Sequence, residues 1–233
     1  MHVPDGFFDA TTSIGTGVAS AGAIAVGLRR SADELSDRLA PMAGLVAAFI
    51  FALQLLNFPV ASGTSGHLLG GALAAVLVGP WVGLVCVSIV LLVQALVFAD
   101  GGLTAYGLNV ILVAIVPAFV GYGVYRLVRA LLPANRRAVV AGSAVGAFVS
   151  VPVAAAVFAV LFAVGGSIDL EFSSVLTAMV GTHLLIGIGE AAITAAIVSA
   201  VVTTRPDLVH GARDLAVDLE LRTGTGATVL EAS

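Results

Sequence analysis

The sequence predicts an all-α fold: a polytopic membrane bundle of about seven transmembrane helices, with the N-terminus outside and the C-terminus inside. Three observations carry this. Of 233 residues, 59% are hydrophobic and only 10% charged, with a mean hydropathy of +1.11; globular chains carry about 25% charged residues. From Leu39 to Ala99 there is no Asp, Glu, Lys or Arg, a stretch long enough for three crossings at about 20 residues each. All ten basic residues are arginine, gathered in the 29–38 loop, the 126–137 loop and the tail. With the N-terminus outside, every arginine is cytoplasmic and Asp5, Asp9, Asp100, Asp169 and Glu171 are external, as the positive-inside rule requires.

The elements follow in order. Ala10 to Leu28 is apolar enough to span, and the acidic residues before it, with no Lys or Arg, argue against a signal peptide. Its Gly15, Ala19, Ala23 and Gly27 form a stripe of small residues that lets another helix approach closely. Breaks at Asn57-Phe58-Pro59, at 62–67 and at Gly79-Pro80 divide the uncharged stretch into helices near 41–57, 67–79 and 81–98. Ala40, Gly44, Ala48 and Ala52 mark the first of these with a second small-residue stripe. Asp100-Gly101-Gly102 forms a turn, and spans follow near 106–132, 139–164 and 173–202, with Pro152 as an expected kink. This divides the chain into an integral membrane domain, 1–205, beginning with a metal-chelating segment, 1–8, and a polar cytoplasmic tail, 206–233.

Composition also excludes. A P-loop needs its lysine, and the chain has none, so it carries no ATPase of that type. A retinal Schiff base is excluded on the same ground. Cys86 stands alone, so no disulfide framework exists, and nothing points to nucleic acid.

The first eight residues, Met1-His2-Val3-Pro4-Asp5-Gly6-Phe7-Phe8, carry the chemistry. The Met1 amine and the His2 backbone nitrogen close a five-membered ring on a metal; that nitrogen and His2 Nδ1 close a six-membered one. Three nitrogens then lie near one plane with the fourth corner open, a set suited to Ni²⁺ or Cu²⁺ and, less strongly, Co²⁺. On residues alone, His2 reads first as a polar residue in a frayed terminus, the usual fate of such a residue, and only second as a ligand. His67, in Gly63-Thr64-Ser65-Gly66-His67-Leu68-Leu69-Gly70-Gly71, falls on the same external face. It reads either as an interfacial polar residue or as the fourth ligand, with Thr64 and Ser65 orienting the ring.

Met1-His2-Val3-Pro4-Asp5-Gly6-Phe7 closely resembles the MHIPDG[FY] start of the CbiM/NikM family, the substrate-capture components of energy-coupling-factor cobalt and nickel transporters. Gln54–Val60, Gly63–Gly70, Gly79-Pro80-Trp81, Gln94-Ala95-Leu96, Asp100–Thr104 and His183–Glu190 are similar to the family as well. The resemblance covers about residues 1–205. It implies a seven-helix fold and a metal held by the Met1 amine, His2 and His67. The bound Co²⁺ or Ni²⁺ is transported substrate, and no cofactor is implied. It also implies a transmembrane coupling subunit, for which Ala40, Gly44, Ala48 and Ala52 offer a surface, separate ATPase chains and a small accessory membrane subunit. The chain itself is then a non-catalytic transporter subunit of the plasma membrane.

His183 and Glu190 lie seven apart on one helix face, Glu190 about 10 Å deeper. An intramembrane carboxylate is a functional candidate by default. Two readings stand: a carboxyl pinning helices, to Asn109 or Gln94, or a proton relay with His183 in a self-sufficient secondary metal transporter. Asp5 adds negative potential or ends a helix, and His210 is expected in solvent.

Overall fold

The computed structural model describes residues 2–34, 39–56, 58–59 and 65–215. Among these the chain is an all-helical bundle, apart from a short ladder in which Phe58 pairs with Gly66 and Pro59 with Ser65. The helices are α1 (Ala10–Glu34), α2 (Leu39–Gln54), α3 (Gly71–Val78), α4 (Pro80–Val97), α5 (Tyr106–Asn109), α6 (Val116–Leu131), α7 (Arg136–Gly165) and α8 (Phe172–Thr204). Five stretches are long and apolar enough to cross a membrane: 10–32, 80–97, 106–131, 136–165 and 172–204. The α2 helix is apolar but shorter, and α3 has only 8 residues. The seven helices expected from sequence therefore reduce to five that span by length alone.

All eight residues of α3 are buried. It forms the axis of the bundle, with α2, α4, α6, α7 and α8 around it. Gly79, at φ 96°, turns the chain sharply, and Pro80 starts α4 at the one place where its missing N–H costs nothing. The 106–131 span is continuous, but Val110–Ile115 is wound as a π-helix. Pro117 follows directly; it has no N–H to give the Val113 carbonyl, and the looser turn absorbs the mismatch. Gly71 faces that carbonyl, and a Cβ on Gly71 would lie 2.9 Å from Val113 O. A second proline, Pro152, lies inside the unbroken helix α7.

Two expectations about packing change. The stripe on α1 carries a close helix approach at one end only: Gly15 has no neighbour near its missing side chain, whereas a Cβ on Gly27 would lie 3.2 Å from the side chains of Leu84 and Val85 of α4. A tighter approach lies one step round the helix, where Gly107 packs on the backbone of Thr16 and Gly17 and Ser20 Oγ donates to Gly107 O at 2.6 Å. The start of the expected tail also differs. Residues 206–215 fold back beneath the bundle with Val209 and Ala212 fully buried, and Tyr125 Oη donates to Gly211 O. His210 is half-buried against Tyr122 rather than solvated. The remainder of the expected tail, from 216, lies outside the described residues.

Candidate metal site

The segment from His2 to Asp9 crosses one end of the bundle, where α4 and α7 end and α5 and α8 begin. Proline at position 4 and Gly6 at φ 75° keep it out of the helix that follows. Backbone groups that a helix would satisfy internally are satisfied by neighbours instead. Val3 N donates to Asn109 Oδ1 at 2.7 Å, while Asn109 Nδ2 and Gly102 N donate to Val3 O at 3.1 and 2.8 Å. Thr104 donates to Asp5 Oδ1 from its N (2.7 Å) and Oγ1 (2.5 Å), and these bonds hold the Asp5 carboxyl below its ordinary range. Ser167 N and Oγ donate to the carbonyls of Phe7 and Gly6 at 3.0 and 2.8 Å. Phe7 and Phe8 close the segment against Phe158 and Phe162 of α7. Asp9 Oδ1 then accepts from Thr12 N and starts α1.

This tethering delivers His2 to His67. Their ring centroids are 4.6 Å apart. His2 Nδ1 stands 2.8 Å from Asp100 Oδ1, and Nε2 makes no hydrogen bond among the described residues. Its backbone nitrogen donates to no described residue either. His67 is buried, and its Nδ1 lies 2.8 Å from Leu68 O. A carbonyl only accepts, so Nδ1 carries the proton and the lone pair falls on Nε2, the atom a metal takes. Burial, as the main cause, holds both imidazoles below the ordinary 6.5, His67 well below it; at His2 the Asp100 carboxylate opposes the effect. Both rings are neutral at pH 7 and suited to ligation.

The stretch carrying His67 is not helical. It is expected at the start of a helix near 67–79, yet α3 begins only at Gly71. The cause lies elsewhere in the chain. Glu190, fully buried on α8, accepts from Leu69 N at Oε2 (2.7 Å) and from Gly70 N at Oε1 (2.8 Å). From α2, Gln54 Nε2 donates to Leu69 O at 2.7 Å. Gly70 takes φ 78°, and Ile50 fills the space a side chain would need. Glu190 therefore grips backbone, and neither Asn109 nor Gln94 is its partner. His183 sits one helical turn beyond Met179 and bonds its carbonyl at 2.7 Å, close enough to bear electrostatically on His67.

Of the residues singled out from sequence, the fold gathers His2, His67, Asn109, Asp5 and Glu190 at this end. Met1 and Thr64 lie outside the described residues, as does the side chain of Ser65. Among the described residues no three His, Cys, Asp or Glu side chains converge. A metal here would draw its remaining donors from outside these side chains. Ala40, Gly44, Ala48 and Ala52 are all exposed on α2, opposite its buried Ala43, Val46, Ile50 and Gln54. Gln54, Gly102 and Thr104 fall in stretches similar to the family but, like Ser167, were not singled out as site residues, because their contacts to backbone and to Asp5 leave no spacing pattern.

Comparison with known proteins identifies the family. The family described as "Cobalt uptake substrate-specific transmembrane region" matches residues 2–208. A cobalt transport protein of Sorangium cellulosum is 35% identical over 191 residues, 80% of this chain and 84% of its own. A fused nickel transport protein of Rhodobacter capsulatus is 34% identical, covering 99% of this chain and 71% of its own. The crystal structure of a truncated transition metal transporter superposes with a TM-score of 0.79 at 30% identity, covering 87% of this chain and 99% of that one. The chain belongs to the CbiM/NikM family of cobalt and nickel transport components and is a multi-pass membrane protein.

Proposed function

We propose that this chain is the substrate-capture component of an ATP-driven importer of the energy-coupling-factor type. It takes Co²⁺ or Ni²⁺ at the external face through the Met1 amine, the backbone nitrogen and imidazole of His2, and the imidazole of His67. The observation that carries this reading is the approach of the His2 and His67 rings to 4.6 Å, with His2 Nε2 unpartnered among the described residues and Nδ1 facing only the Asp100 carboxylate. The amine and two His2 nitrogens form fused chelate rings, and His67 Nε2 closes the square. Asn109 and Asp5 hold the terminal segment, Glu190 and Gln54 hold the His67 segment, and Thr64, Ser65 and His183 support the ring.

In this reading seven helices cross or enter the membrane, α2 and α3 included, with the N-terminus outside and the C-terminus inside. The arginines at the far ends of α1, α6 and α8 and at the start of α7 support that orientation. The exposed stripe Ala40 to Ala52 receives the coupling subunit. ATP hydrolysis belongs to separate chains, since this one lacks a P-loop lysine. The fused name of the Rhodobacter relative supports a small accessory partner. A secondary transporter with a Glu190–His183 relay has less support. Both Glu190 oxygens are taken by backbone N–H groups, and His183 Nδ1 by its own helix.

Titrating the purified chain with Ni²⁺ and Co²⁺, against His67→Ala, tests the reading. The variant should stay folded and bind about 100-fold more weakly or worse, about 2.8 kcal/mol. Unchanged affinity in the folded variant would remove His67 from the ligand set.

A further inference from the structure

At the end of the bundle farthest from His2, a groove of about 360 Å³ opens between the start of α7 and the end of α8. Arg136 and Arg137 stand at its mouth, with Val140 and Ala141 one turn deeper on α7. Ser199 and Val202 form the wall contributed by α8. We propose that this groove binds the phosphate of an anionic phospholipid, a site that goes beyond metal capture and does not depend on it.

Charge is the first argument. At this end Arg129 is paired with Asp214 at 2.5 Å and Arg205 with Asp207 at 2.7 Å. Arg136 and Arg137 have no carboxylate partner among the described residues, and both are exposed. Two guanidiniums lining one groove, without a carboxylate partner among the described residues, favour an anion there, and a phosphate diester offers oxygens in the geometry of their forks. The N-terminal end of α7, a helix of 30 residues, adds its positive dipole end at the same point.

Shape is the second argument, and it selects a lipid over a free anion. The groove is cationic only at the helix ends. One turn deeper its walls are Val140, Ala141 and Val202, and farther along the same flank Val145 is 42% exposed on a helix long enough to span. An amphiphile with its charge at the membrane boundary and its chains running inward matches that order of surfaces. An inorganic ion uses only the mouth. Basic pockets between transmembrane helices at the interface are where anionic headgroups bind.

The test uses the full chain in phosphatidylcholine nanodiscs with and without phosphatidylglycerol, read by native mass spectrometry and thermal melting. The wild type should retain phosphatidylglycerol on ejection and melt higher in discs containing it. The double variant Arg136→Gln/Arg137→Gln should lose the retained lipid at least tenfold and lose the shift. Ala141→Phe fills the groove while keeping both charges, and should reduce retention similarly even where the double variant folds poorly. Ni²⁺ binding at the other end should be unchanged in Ala141→Phe. Retention equal to wild type in Ala141→Phe would overturn the proposal. So would inorganic phosphate reproducing the melting shift in phosphatidylcholine discs, since the site would then be an ion site.

Discussion

His67 owes its place to residues far from it in sequence. The backbone just after it is gripped by Glu190, 121 residues beyond Leu69, and by Gln54 from α2. A carboxylate accepts from two consecutive N–H groups with both oxygens; an amide presents a donor where one of them accepts. Glu190→Gln should therefore leave one buried N–H facing a donor, a loss of about 1–3 kcal/mol in stability. Because the displaced backbone carries His67, metal affinity should also fall, about 10–100-fold as for other residues that orient ligands. Thermal melting and Ni²⁺ titration of the same preparation measure both; a melting loss with unchanged affinity would confine Glu190 to the fold. At this scale the sequence was readable for residue type and blind to partner. His2, His67 and Glu190 are conspicuous as the few polar groups in an apolar chain. What Glu190 holds is backbone, and backbone partners are the same whatever the sequence.

Among the elements, helices were legible wherever apolar runs were long, and their ends were misread wherever tertiary contacts set them. The delayed start of α3 is the clearest case, since Glu190 and Gln54 claim groups that a helix beginning at 67 would use itself. Small-residue stripes were legible as pattern and only in part as contact: Gly27 packs on α4, while Gly15 meets open space. The tight approach on α1 is Gly17 against Gly107, and a Cβ on Gly107 would overlap the backbone of α1. Gly107→Ala should force α1 outward and destabilise the protein by about 1–3 kcal/mol, read as a lowered melting temperature in detergent. Gly15→Ala, which meets open space, should leave it unchanged. The refolded segment 206–215 gives a pH prediction. Burial lowers the His210 pKa from 6.5 to about 4, so the released segment binds a proton that the docked one refuses. Docking is complete above pH 6.5 and weakens as pH falls from there toward 4. Limited proteolysis after Thr204 should accelerate over that window, and His210→Phe should remove the dependence.

For the molecule as a whole, the arginine distribution is the feature that sequence and structure share most directly. Arginines at 126, 129, 136, 137, 205 and 213 lie at helix ends remote from the site, and Arg30 stacks 5.7 Å over Trp81 at the start of α4. Acidic residues Asp5, Asp9 and Asp100 lie at the site end. In the proposed orientation, cations arriving outside would meet a negative rim and two neutral imidazoles, and the positive end would face the inner leaflet. That division was legible because it depends on composition along the chain. The meeting of the terminus with the 67–70 segment was expected from their shared face and the family resemblance, but the part played by the 98–105 turn was not, because it depends on three-dimensional closure of elements that share no periodicity.

The central claim is that the terminal amine is itself a ligand, and the most direct measurement is Ni²⁺ titration of the chain with a free terminus against the same chain acetylated at Met1, each form verified by mass. Acetylation removes one nitrogen and a charge while leaving His2, His67 and the tethers at Val3 and Asp5 in place. The account predicts that the acetylated chain binds at least about 100-fold more weakly, about 2.8 kcal/mol, with its melting temperature in the absence of metal unchanged. Equal affinity for the acetylated and free forms would contradict it, and the metal would then have to be held without the amine.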